Sequence, residues 1–230
     1  MYWLSTPNSD NASSYMFKLT PEAEECYFAE RHLGLCLRPV MDRLEEEKIV
    51  TKGSVAGHDW VDMGLPSGTR WATCNVDASK PSQPGKHYAW GETTVKSSYT
   101  EANSKYNGKQ VEDIAGTAND VAAVKWGNGW QMPTREQMHE LERYTNWDYV
   151  QLDGRWVVRL TSVRNGEVIY LPATGMMDGA KLDEPNGCGN YWTSTPGTTT
   201  GAHDYHFGAA LGEMGQASRY YGFAVRPVLG

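Results

Sequence analysis

Residues 191–228 read YWTSTPGTTTGAHDYHFGAALGEMGQASRYYGFAVRPV, and residues 2–40 read YWLSTPNSDNASSYMFKLTPEAEECYFAERHLGLCLRPV. Aligned with two small length adjustments, the stretches share thirteen positions. Tyr2, Trp3, Ser5, Thr6 and Pro7 match Tyr191, Trp192, Ser194, Thr195 and Pro196. Ala12, Tyr15 and Phe17 match Ala202, Tyr205 and Phe207. Arg31, Gly34, Arg38, Pro39 and Val40 match Arg219, Gly222, Arg226, Pro227 and Val228. At roughly 5% usage per residue type, chance supplies about two matches in such a window, so the repeat is real.

The repeated unit opens on Tyr-Trp and closes on Arg-Pro-Val. AHDYHF and YGFAVRPV alternate apolar and polar residues as half-buried strands do, and the Gly-rich GAALGEMGQAS reads as a hairpin connection between them. Each copy therefore reads as the closing strands of a domain. Three strands alone are marginal in water. Trp3, Tyr15, Phe17, Leu33, Leu35 and Leu37 make exposure of the first copy costly. Residues 1–40 are thus expected to be a docked segment. The readings are the tail of a preceding domain, a strand donor that allows self-association, or a remnant of rearrangement.

Working outward, residues 41–57 read as a connector, charged and helical over MDRLEEEKIV and flexible over TKGSVAG. The complete module is expected over residues 58–230. DWVDMGLPSGTRWATCNV alternates around a PSG turn and reads as a hairpin. Residues 80–110 lack a period and read as an ordered loop region. NDVAAVKWG reads as a short helix capped by Asn119 or Asp120. In MPTREQMHELERYTN, Thr134 and Gln137 fit a capping box, and Met138 and Leu141 give an inward face. RWVVRLTSV and VIYLPATG read as a hairpin around RNGE. This order predicts an α+β fold of twisted antiparallel sheets, two helices and long loops.

The composition narrows the function. Hydrophobic residues make up 40% and charged residues 21%, which suits a packed domain. A formal charge of -7 without a Lys/Arg run argues against a nucleic-acid partner. No apolar run is long enough for a membrane span. Nine Trp and thirteen Tyr stand beside four Phe, and most of the Trp are expected in the core. No basic, then apolar, leader follows Met1, so no signal peptide is read. The four cysteines, Cys26, Cys36, Cys74 and Cys188, form no CxxC. Pairing of Cys26 with Cys36 and free thiols both remain open.

WVDMGLPSGTRWATCNV, HYAWGE, NDVAAVKWGNGWQMPTREQMHEL, VIYLPATG, YWTSTP and YYGFAVRPV occur in that order across residues 58–228. The series resembles the Fibrobacter succinogenes major paralogous domain family, common in gut Bacteroidetes. That family has a C-type-lectin-like fold related to the formylglycine-generating enzyme and to the variable proteins of diversity-generating retroelements. The resemblance implies a non-enzymatic module, secreted or on the cell surface, of adhesin or variable-receptor type, with a protein or glycan ligand. The alternative is a structural or fimbria-associated surface module without a small ligand. A formylglycine-generating-like enzyme is third. The resemblance also implies that the Tyr-Trp to Arg-Pro-Val stretch faces the ligand. Trp192, Tyr205, Phe207, Gly222, Phe223 and Val225 would be scaffold, and Thr193, His203, Asp204, His206, Tyr220 and Tyr221 would point outward to the ligand.

Three chemistries compete with that reading. Asp204 and His206 share a strand face but have no evident third ligand, whereas zinc takes three or four, so no metal is expected. Glu184-Pro185-Asn186 matches a lectin-type calcium and sugar triplet, but no Trp-Asn-Asp run follows. No cofactor is expected, with calcium as the one open alternative. Thiol catalysis needs an activating base, and none is placed beside Cys74 or Cys188.

Overall fold

The closing Tyr-Trp stretch forms a strand, and its partners fix the architecture. The computed structural model describes residues 2–7, 13–19, 24–30, 33, 35–36 and 50–229. The chain divides into two units, Met1–Ile49 and Val50–Gly230. The expected helical segment at residues 41–49 lies outside the described residues. Among those described, no helix is long and apolar enough to cross a membrane.

In the first unit, β1 (Tyr2–Pro7), β2 (Ser13–Leu19) and β3 (Glu24–Glu30) form an antiparallel sheet in chain order. Met16 is buried. Cys36 is a free, exposed thiol, so the pairing with Cys26 does not form.

The second unit is α+β, with antiparallel sheets and two α-helices. It begins earlier than expected. Residues 52–55, read as flexible linker, are β4 (Lys52–Val55), paired with β5 (His58–Asp62). The glycines misled for physical reasons. Ala56 and Gly57 take positive φ, 52° and 81°, and close a two-residue hairpin turn. Gly53 makes room for an indole, since a Cβ there would come within 2.5 Å of the Trp60 ring. β5 pairs with β6 (Arg70–Ala72) as the PSG hairpin predicts. The helices α1 (Val121–Trp126) and α2 (Arg135–Arg143) follow. Asp120 caps α1, and Thr134 with Gln137 makes the capping box of α2. Between the helices, β7 (Trp130–Gln131) joins the first sheet.

β8 (Thr145–Leu152) and β9 (Arg155–Ser162) pair around Asp153-Gly154, and β10 (Val168–Pro172) completes their sheet. β8 was not foreseen. A short hairpin, β11 (Met176–Asp178) and β12 (Lys181–Asp183), leads to β13 (Gly189–Pro196), β14 (Gly201–Phe207) and β15 (Gly212–Ser218), paired in chain order. β15 occupies what had read as a connection. Its glycines are packing residues: a Cβ at Gly212 would meet Tyr205 Oη at 2.4 Å. The expected strand at YGFAVRPV shrinks to β16 (Val228–Leu229), inserted between β6 and β7.

Two cores flank β13. Tyr191, Tyr205 and Phe207 pack with Trp71, Leu160, Leu171 and the Met138 and Leu141 of α2. Trp192, Phe223 and Val225 pack with Val76, Trp90, Ile114 and Val121. Trp60, Trp126 and Trp130 form a third cluster. Among the residues whose burial is described, six Trp are buried, in line with the composition.

The two copies of the repeat form the same sheet. Tyr2 pairs with Phe17, Trp3 with Met16 and Pro7 with Ser14, as Tyr191 pairs with Tyr205, Trp192 with Asp204 and Pro196 with Ala202. The register shifts between Trp3 and Pro7, and at the same place between Trp192 and Pro196. Leu19 pairs with Glu24 as Phe207 pairs with Gly212. This corrects the sequence alignment of the middle strand. Phe17 is equivalent to Tyr205, Met16 to Asp204 and Tyr15 to His203, and one length adjustment suffices. The matches at Ala12, Tyr15 and Phe17 are replaced by Glu25 with Glu213 and Ala29 with Ala217.

Candidate functional site

Cross-strand pairing places Trp192, Asp204 and Gly215 in one row and Asn190, His206 and Glu213 in the next. These residues share one face of the β13–β14–β15 sheet, because directly paired residues point the same way. Trp192 is sealed by Phe223, its ring stacked at 4.3 Å. Beside it Asp204 is only 3% exposed. Its Oδ2 lies 3.2 Å from His206 Nδ1, and its Oδ1 has no protein partner. Burial raises the Asp204 carboxyl above the ordinary carboxylate range, opposed by His206 and His203. On its other side, His206 Nε2 lies 3.4 Å from Glu213 Oε1. Gly215 makes the pair possible, since a Cβ there would come within 2.8 Å of the His206 ring.

A cavity of about 640 Å³ opens beside His206, lined by Met176, Lys181, Asp183, Glu184, Cys188, Asn190, His206, Phe207 and Gly208. It lies between the β11–β12 hairpin, the loop before β13 and the start of the β13–β14 pair. Acids, a lysine, an amide and an imidazole meet there on a rigid sheet, as expected of a site that orients a polar ligand. Lys181 pairs with Asp183. Cys188 is capped by Asn190 Nδ2 at 3.3 Å. Burial, with the neighbouring Glu184, pushes its thiol up to about 11. At neutral pH it is a thiol and a poor nucleophile.

The six residues expected to point outward divide. His206 lines the cavity. Tyr220 and Tyr221 are half-buried, their rings 4.5 Å apart. The Tyr221 hydroxyl is raised to about 12 by its hydrogen bond with Tyr220 and by burial. Tyr221 packs on the same cluster as Met176, which links the tyrosines to the cavity wall. His203 lies on the opposite face, its Nδ1 3.2 Å from Gly215 O. Thr193 and Asp204 do not point outward. Thr193 is fully buried, and its hydroxyl donates to His203 O at 2.8 Å. The reason is that β13 has a core on each face, so alternation leaves no outward position on it from Gly189 to Ser194.

The Glu184-Pro185-Asn186 triplet is also divided. Glu184 lines the cavity, but Asn186 Oδ1 accepts the Trp156 backbone N–H at 2.7 Å. Both residues hold positive φ, 46° and 63°, in a tight turn. Carboxylate and amide therefore do not converge as a sugar-and-calcium pair would need. Among the described residues, no three His, Cys, Asp or Glu side chains are grouped to hold a metal ion.

The residues missed in the sequence are Lys181, Asp183, Asn190 and Glu213. Only the twelve residues before Trp192 could have flagged the first three, and nothing periodic marks them. A second cleft, about 520 Å³ and more apolar, lies between the edge strands β4 and β10, lined in part by Trp60, Ile169 and Tyr170. It gathers no comparable set of charges.

The frame around the site is held by two buried arginines. Arg226 donates to Asn75 Oδ1 at 2.8 Å, Ala72 O at 2.9 Å, Thr73 O at 3.0 Å and Tyr170 O at 2.7 Å. Arg219 donates to Gly201 O, Thr198 O, Tyr106 O and Lys109 O, and lies 4.5 Å over the Trp90 ring. Each guanidinium is satisfied by a fork of fixed carbonyls, which is what makes burial of the charge tolerable.

No family model, curated protein or solved structure matches the chain.

Proposed function

We propose that residues 50–229 are a non-enzymatic ligand-binding module with a C-type-lectin-like fold, of surface adhesin or variable-receptor type. The ligand, a protein or glycan, binds at the cavity beside His206 and across Tyr220 and Tyr221. One observation carries this reading. In the corrected alignment, all six candidate positions differ between the two copies: Leu4, Tyr15, Met16, Lys18, His32 and Leu33 stand for Thr193, His203, Asp204, His206, Tyr220 and Tyr221. The residues that grip the frame are identical. A rigid sheet with a changeable face is how one fold serves many ligands. The motif series from WVDMGLPSG to YYGFAVRPV supports the same family reading, and with it a place on the cell surface or outside the cell.

The test is a glycan and protein array probed with the full chain, with and without a calcium chelator. Binding that survives chelation and falls in Lys181→Ala and His206→Ala is the expected result. Binding indifferent to both substitutions would remove the cavity from the proposal.

A further inference from the structure

The tail, residues 191–228, is gripped by the rest of the module through a few side chains. Trp192 Nε1 donates to Tyr88 O at 2.8 Å. All four acceptors of Arg226 lie outside the tail, between Ala72 and Tyr170. Arg219 reaches Tyr106 O at 3.0 Å and Lys109 O at 2.8 Å. Gly222 must lack a Cβ, which would come within 2.7 Å of Tyr99 and 2.8 Å of Met177. The grip is thus a slot cut to this residue pattern.

Residues 2–40 carry Trp3, Arg31, Gly34 and Arg38 at the equivalent positions, on a sheet of the same register. Two arginines and a tryptophan kept at gripped positions are costly to bury and have a use only where the matching carbonyls stand ready. A slot that matches them is built by this chain's own residues between Ala72 and Tyr170.

We propose that residues 2–40 are a second tail, and that their partner is the tail slot of a second copy of this chain, entered by strand exchange. The exchange stands whether or not the cavity binds a ligand. Its consequence is a changed face: Met16 and Lys18 would take the places of Asp204 and His206.

The test uses the full chain with both grips removed, W3A/R38A/W192A/R226A, refolded alone or together with wild-type chain. Alone it is expected to lack a cooperative melt. Refolded with wild type it is expected to fold as a one-to-one heterodimer in sedimentation, and a W3A/R38A partner is expected not to rescue it. The proposal is overturned if the fourfold variant folds alone, if wild type fails to rescue it, or if the W3A/R38A partner rescues it equally. R38K/R226K, which keep the charges but lose the planar fork, give the same comparison in a milder background.

Discussion

The sheet of β1, β2 and β3 and the sheet of β13, β14 and β15 share strand order, register and the irregularity after the Trp. They share few side chains, and the pattern of sharing is what teaches. Identity is kept at Tyr191, Trp192, Arg219, Gly222 and Arg226, whose side chains or bare Cα meet the module's first hundred residues or so. Identity is lost at His206, which lines the cavity, at Tyr220 and Tyr221, and also at the buried Asp204 and at His203 on the opposite face. Core positions differ as well, with Phe17, Leu19, Leu35 and Leu37 at Tyr205, Phe207, Phe223 and Val225, and Glu213 of the site is kept, so the repeat marks the gripping residues more sharply than it marks the face.

The comparison breaks most sharply at Arg226. Arg226→Ala leaves three carbonyls and an amide oxygen buried without a donor, and should cost about 3–5 kcal/mol, read as a lower urea midpoint. Arg226→Lys should recover only part of this, because one ammonium cannot span four acceptors set around a planar fork. If Arg226→Ala costs less than about 1 kcal/mol, identity in the repeat does not mark the frame. Next comes Gly222→Ala. The added Cβ meets Tyr99 and Met177, so overpacking should cost about 1–3 kcal/mol by the same measurement.

A smaller effect follows from Asp204, a buried group at a position that differs between the copies. Burial raises its carboxyl pKa. The folded chain therefore holds this proton more tightly than the unfolded chain. The stability it adds is fully present below the unfolded value, about 3.9, and is lost as pH rises through the folded value. Asp204→Asn should flatten the fall in urea midpoint over that window. Asp120, also raised by burial, keeps part of the slope. An unchanged profile in the Asn variant would mean that Asp204 titrates as an ordinary surface acid.

Much of the module was legible. Both helices announce their caps, the PSG and RNGE hairpins announce their turns, and Trp192, Tyr205, Phe207, Phe223 and Val225, scaffold positions by the resemblance, are buried. Several of the failures concern glycine. Gly53, Gly212 and Gly215 read as flexibility or turn, and each instead makes room for an aromatic or imidazole ring from the neighbouring strand. That requirement is set by a residue elsewhere in the chain, so no local window shows it. The site was half legible for a similar reason. Alternation places Asp204 and His206 on one face, but it cannot tell that β13 is covered on both sides. Lys181 and Asp183 reach the cavity only because the β11–β12 hairpin folds toward β13.

The smallest effect on stability is expected at His206. Its side chain is 40% exposed and stands between Asp204 and Glu213. The first copy has Lys18 there, so a cation on a flexible stem fits the same sheet position. His206→Lys should place an ammonium between the two acids and change stability by no more than about 0.5 kcal/mol. It should nevertheless alter binding on the array, because a compact ammonium replaces a planar imidazole at the cavity wall. A stable variant with altered binding separates face from frame at a single residue. A variant that loses stability as Arg226→Ala does would place His206 in the frame, and the difference between the copies at this position would then be drift that each sheet compensates in its own way.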